Sequence, residues 1–209
     1  MTAMGDKRNL RKELGCYSAT ATPQVLDVPE LQYLMVDGRG DPNTAAFADA
    51  VATLYPVAYT LKFASKRSLD LDYVVMPLEA LWWAEDMDAF TTARDKSRWY
   101  WTLLTMVPDW ITADLFQGAV DQVSRRTSPP RLPDLRLEPL NEGLCVQALH
   151  VGSFDDEAGL LQQIHHDFIP AHHLVMTGRH HEIYLSDVRR VEPARRRTIL
   201  RQPVGPLTG

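Results

Sequence analysis

Leu31-Gln-Tyr-Leu-Met-Val-Asp-Gly-Arg-Gly-Asp-Pro42 runs from a strand through a glycine turn into a helix, and its reading decides the fold. Residues 31–37 are mostly apolar and β-prone. Gly38-Arg-Gly40 turns the chain, Asp41 is a fitting N-cap, and Pro42 suits the first helical position. The following segment places Phe47, Val51, Leu54, Tyr55 and Ala58 on one helical face. The same order returns later. Ala148-Leu-His-Val-Gly152 ends a strand on glycine and leads to a helix with Leu160, Leu161, Ile164 and Phe168 on one face. In this reading Tyr55-Pro56 closes the first helix and Ile169-Pro170 the second; Gly38 to Pro56 and Gly152 to Pro170 both span 18 positions.

An internal repeat changes the expected architecture. The expectation is an α+β fold of two βαββ modules in pseudo-twofold array, with antiparallel sheets, helices packed on one side and a ligand groove between the modules. The modules fall at about residues 28–126 and 134–203 of a single domain covering 1–209, joined by Ser128-Pro-Pro-Arg-Leu-Pro133 and preceded by a helix at about 6–14. Strands are expected at Leu71–Pro77, Leu78–Trp83, Arg98–Met106, Gly143–Val151, His180–Ser186 and Arg195–Arg201. Thr112 can cap a helix to about Ser124, and a further helix covers Asp155–His172.

Composition narrows the classes. At 45% hydrophobic and 23% charged, this is the composition of a globular domain. A formal net charge of −5 gives no electrostatic reason to bind nucleic acid or an anionic membrane, and favours cationic ligands if anything. No apolar stretch is long enough to span a bilayer. The first thirteen residues carry charges and no apolar run, unlike a secretory signal, and Cys16 and Cys145 do not form a disulfide framework, so a cytoplasmic location is expected. The sequence leaves the oligomeric state open, a monomer included.

Four of the five tryptophans, Trp82, Trp83, Trp99 and Trp101, lie between positions 82 and 101, with Tyr73 just ahead of them. Indole is costly to bury because its N–H needs a partner, so such a group suits either a core or a cavity for a flat or cationic molecule. His180-His-Glu-Ile-Tyr184 adds the polar element. Period-2 alternation puts His180, Glu182 and Tyr184 on one face and His181, Ile183 and Leu185 on the other, which should be core. The first face is either solvated or the floor of a site in which Glu182 is counter-charge or general acid/base, with Tyr184 and His180 orienting it.

No metal is expected. His165-His166 lacks a histidine one turn on, and Leu185 stands where a metalloprotease motif beginning at His181-Glu182 needs its second histidine. Gly38-Arg-Gly40 lacks the third glycine of a dinucleotide fingerprint, and no cofactor is implied. Arg189, Arg190, Arg195, Arg196, Arg197 and Arg201 read as a solvated edge strand.

These segments resemble the GyrI-like small-molecule-binding family, in its stand-alone form. The likeness runs from about residue 6 to 202. It is carried by Val36-Asp-Gly-Arg-Gly-Asp-Pro-Asn43, Pro77-Leu-Glu-Ala-Leu-Trp-Trp83, Trp99-Tyr-Trp-Thr102 and His181-Glu-Ile-Tyr-Leu-Ser-Asp187. The resemblance implies duplicated βαββ (SHS2) modules and a site of aromatic rings and a glutamate for planar or lipophilic cationic compounds. It implies Glu182 as the catalytic group, with Trp82 or Trp83, Trp101 and Tyr184 holding the flat substrate, while the strand periods add Tyr73, Trp99 and His180 as candidate ligand-binding residues. Some stand-alone relatives are similar to hydrolases that open the cyclopropane ring of DNA-alkylating natural products. The alternative is a non-catalytic protein that sequesters drugs or inhibits a partner such as DNA gyrase.

Overall fold

The computed structural model describes residues 6–85 and 95–207, which divide into two compact units interleaved along the chain. The first unit combines Met1–Glu13, Leu31–Met76 and Trp83–Leu140; the second combines Leu14–Glu30, Pro77–Trp82 and Asn141–Gly209. The fold is α+β, and the paired strands are antiparallel throughout.

In the first unit, β2 (Leu31–Arg39) lies between β4 (Tyr100–Val107) and β5 (Arg136–Leu140). The short α1 (Leu10–Glu13) precedes them, and α2 (Ala45–Leu69) packs on β2, β4 and α3 (Ala113–Arg126). Leu54, Val57, Ala58 and Leu61 form the buried stripe of α2. The helix starts later than Asp41 predicts, because the Asp41 carboxylate accepts from the Asn43 amide and holds a turn, leaving Thr44 at the N-cap. It also does not stop at Pro56. It runs on to Asp70, whose left-handed backbone (φ 57°) ends it. A mid-helix proline costs about 3 kcal/mol. Burial of Val57, Ala58 and Leu61 beyond it, at about 1.5–3 kcal/mol for each fully buried large side chain, outweighs that cost. Thr112 caps α3 as expected, its hydroxyl accepting from the Leu115 amide.

In the second unit the strand order is β1 (Gln24–Val28), β6 (Gly143–Val151), β9 (Arg197–Pro206), β8 (His180–Tyr184), β3 (Glu79–Trp83). β7 (Leu174–Met176) also pairs with β9. After β6, α4 (Ala158–Gln162) continues through a π-helical stretch, Gln163–Phe168, into α5 (Ile169–Ala171). This helix lays Ile164 and Ile169, flanked by Leu160, Leu161 and Phe168, on Val146, Ala148, Leu200 and Val204.

Two further expectations change. Residues 71–77 form no strand; Tyr73 makes a single bridge to Arg8. The arginine-rich β9 is not an edge strand. It is paired on both sides, with Ile199, Leu200 and Arg201 fully buried. β1, β5 and β7 carry too little alternation to be read from the sequence, and they form because neighbouring strands offer them a ladder.

Candidate functional site

β8 alternates as its sequence predicts: His181 and Ile183 are buried, while His180, Glu182 and Tyr184 are partly covered. Its register with β3 sets Trp82 opposite His180 and Ala80 opposite Glu182. On its other side Leu200 stands opposite Glu182, and Leu200 belongs to the cluster that the helix covers. The Glu182 face is therefore the helix-covered face of this unit, not a solvated one.

The polar groups on that face are joined. The Tyr184 hydroxyl donates to Glu182 Oε2 at 2.7 Å and accepts from Trp82 Nε1 at 3.2 Å. His180 Nε2 lies 3.6 Å from Glu182 Oε1, an electrostatic neighbour rather than a hydrogen-bond partner. Phe154 meets Tyr184 edge-to-face at 5.6 Å, and the Arg196 guanidinium lies 5.7 Å from the Phe154 ring. Burial, with the Glu182 charge and hydrogen bond, pushes the Tyr184 phenol well above its ordinary range.

Two further groups come from the helical segment, and the sequence did not single them out for this site. Glu157 is only 5% exposed, and its Oε1 has no hydrogen-bond partner. Burial, then the charges of Glu182 and Asp155, raise its carboxyl to about 10, so it keeps its proton at neutral pH. His165 sits edge-to-face with His180 at 6.0 Å, its Nε2 buried and unpartnered. Burial, and then His180 and His166, lower it to about 4, so it is neutral. Asp155-Asp-Glu157 carries no signal of this role in the sequence, because acids at a helix start are what the helix dipole favours.

The opposite face of β8 is not the apolar core expected there. His181 is fully buried, with Nδ1 3.0 Å from Glu142 Oε1 and Nε2 3.0 Å from Glu79 Oε2. The Tyr17 hydroxyl donates to Glu79 at 2.7 Å. Arg201 donates to Glu142 at 2.7 Å, to Gln147 at 3.1 Å and to the Cys16 carbonyl at 2.6 Å. Burial opposes the charge on His181, but Glu142 and Glu79 outweigh it and raise the imidazole to about 9. This network binds Cys16 and Tyr17 to the strands behind Glu182.

The second unit thus brings together Trp82, His180, Glu182 and Tyr184. The remaining predicted site residues belong to the first unit. Trp101 is 0% exposed, edge-on to Phe47 at 5.2 Å and packed over Gly38. Tyr73 is buried against Trp110 at 6.1 Å. Trp83 stacks on Tyr100 at 5.8 Å, and Trp99 lines a cavity of about 190 Å³ with Arg39, Glu85, Ser97, Arg98 and Tyr100. Among the described residues no group of three or more His, Cys, Asp and Glu side chains is arranged to hold a metal ion, and no helix is long and apolar enough to cross a membrane.

The GyrI-like small molecule binding domain, as a family profile, matches residues 21–204. An uncharacterized conserved protein from Listeria innocua is 37% identical, with a TM-score of 0.88 over 95% of this chain and 100% of its own. A hydrolase from Listeria innocua is 35% identical over 95% of this chain and 100% of its own, with a TM-score of 0.83. The EcmrR C-terminal domain, 9% identical, shares the fold at a TM-score of 0.54 over 88% of this chain and 98% of its own. No curated protein matches. The chain belongs to the GyrI-like small-molecule-binding family.

Proposed function

We propose that this GyrI-like protein binds planar or lipophilic cationic organic molecules at Glu182, and that it opens cyclopropane-bearing alkylating compounds by hydrolysis. The observation that carries the reading is the linked set Trp82–Tyr184–Glu182, a carboxylate held by a phenol that an indole in turn holds. Such a set is preorganised: Glu182 cannot swing to solvent without losing the Tyr184 bond. Trp82 and Tyr184 offer ring faces for a flat ligand, and Glu182 offers the counter-charge.

The hydrolytic part rests on the Listeria innocua hydrolase, which is 35% identical over nearly the whole chain. In the ring opening proposed for this chain, water attacks the cyclopropane methylene while Glu182 takes a proton from the water. The strained C–C bond breaks, and its electron pair passes into the conjugated ring. The ring carbonyl oxygen then becomes a phenol by accepting a proton.

The test compares wild type with Glu182→Gln. Quenching of tryptophan fluorescence by a planar cationic dye should saturate in wild type and weaken at least about tenfold in the variant, a loss near 1.4 kcal/mol. Equal binding by both proteins refutes the assignment of Glu182. Chromatography of a spirocyclopropyl dienone incubated with each protein reads the chemistry. Ring-opened alcohol from wild type alone supports hydrolysis; unchanged dienone with wild type rejects it and leaves a binding protein.

A further inference from the structure

Glu157 presents a problem that Glu182 alone does not solve. A buried carboxyl oxygen without a partner costs about 1–3 kcal/mol, and proteins rarely leave one so without a use for it. Glu157 is nine-tenths buried, its Oε1 is unpartnered, and the charge it senses most strongly is that of Glu182. It also acts electrostatically on Tyr184, so it belongs to the same cluster. The cluster therefore holds two carboxyl groups beside Trp82, Phe154 and Tyr184.

The charges facing Glu157 can be named element by element. β8 contributes Glu182 and Tyr184, with His180 beside Glu182. The turn before the helix contributes Asp155, and His165, with His166 beside it, joins the cluster through His180. Arg196 stands over Phe154, and its guanidinium donates to the Val188 and Val191 carbonyls. His165 is already neutral and has no proton to give at pH 7.5. Glu157 thus holds the transferable proton of this cluster.

We infer that Glu157 and Glu182 form a carboxyl–carboxylate pair that takes up a monovalent organic cation in exchange for one proton. The inference rests on the ligand-binding reading of Glu182 and adds how the site selects charge. In the free protein the pair is CO₂H with CO₂⁻, because two buried carboxylates repel. A cation seated beside the rings stabilises the second negative charge, and Glu157 releases its proton to solvent. No bond other than O–H breaks, and the site plus ligand keeps its charge apart from the proton lost. A neutral planar ligand leaves the pair protonated. Glu157 is thereby a specificity residue: it answers charge rather than shape.

The experiment is calorimetric titration of the full chain with 10-methylacridinium at pH 7.5, in buffers of low and high ionisation enthalpy such as phosphate and Tris. The neutral 10-methylacridone serves as control. Expected for the cation are about one proton released per ligand bound and a Kd that tightens up to about tenfold per pH unit between pH 6.5 and 8.5. The neutral ligand should release none and bind independently of pH. Glu157→Gln should abolish both the proton release and the pH slope. Circular dichroism confirms that the variant is folded, and the wild-type proton count stands without it. Tight cation binding with buffer-independent enthalpy and a flat pH profile overturns the exchange while leaving the binding site in place. Failure of 10-methylacridinium and a panel of lipophilic cations to bind at all overturns the ligand-binding reading itself.

Discussion

Replacing His181 with glutamine tests the buried network behind the site. His181 has a carboxylate 3.0 Å from each ring nitrogen, so both nitrogens hold protons and the imidazole is cationic in the folded protein. Its pKa rises from 6.5 to about 9 on folding. A raised pKa stabilises the fold fully below the unfolded value and is lost as pH rises through the folded one. The window is therefore pH 6.5 to about 9. Across these roughly 2.5 units, at about 1.36 kcal/mol each, the His181 proton accounts for a loss of about 3 kcal/mol in wild type, in addition to the loss from the raised Glu157 carboxyl. For a chain of this size that corresponds to roughly 6–12 °C in Tm. Glu142, held down to about 2 against burial by His181 and Arg201, reports the same ion pair from its other end, and its share is lost only as pH falls from 4.5 towards 2. The two shifts are one interaction and are not added. Urea unfolding followed by tryptophan fluorescence at pH 6, 7, 8 and 9 measures the slope. His181→Gln should be less stable at pH 6 by about 3–5 kcal/mol, the cost of leaving buried charges without their partner. Its fall between pH 6.5 and 9 should be smaller than that of wild type by about 3 kcal/mol, because only the Glu157 proton remains to be lost. A wild-type stability flat over that range, or an equal slope in the variant, refutes the assignment of a buried imidazolium.

Three other changes follow from the same geometry. Gly38→Ala should destabilise by about 3 kcal/mol or more in a thermal melt, since the new Cβ would stand 2.0–2.4 Å from the fully buried Trp101 ring; an unchanged Tm would mean that β2 and Trp101 separate at little cost. Pro56→Ala should stabilise by about 1–3 kcal/mol, because it restores an amide inside the continuous α2; a lower Tm would show that the packing depends on the proline. Tyr184→Phe should cost about 1–3 kcal/mol in urea at pH 7 by removing the bonds to Glu182 and Trp82; full stability would show that these bonds contribute nothing net.

Much of the fold was legible because it is local. The β2–turn–helix stretch and its echo at β6 announce themselves through glycine, periodicity and capping, and the structure gives strands at Leu31–Arg39 and Gly143–Val151. Helix ends were less legible. Pro56 reads as a stop, yet α2 continues because buried Val57, Ala58 and Leu61 outweigh one missing amide. Edge strands such as β5 were invisible for the complementary reason: their neighbours, not their own residues, make them strands.

For the site, sequence alone determined the alternation of β8, and with it that His180, Glu182 and Tyr184 share a face. That follows from the two-residue period of a strand and needs no tertiary information. Only the tertiary structure decided what lies across from that face. The register of β3 chose Trp82 among the tryptophans that the chain concentrates between positions 82 and 101. The helix packed over Leu200 brought up Glu157 and His165. Whether an acid at a helix start is solvated or buried beside another carboxylate depends on the helix's neighbours, and no local pattern encodes that.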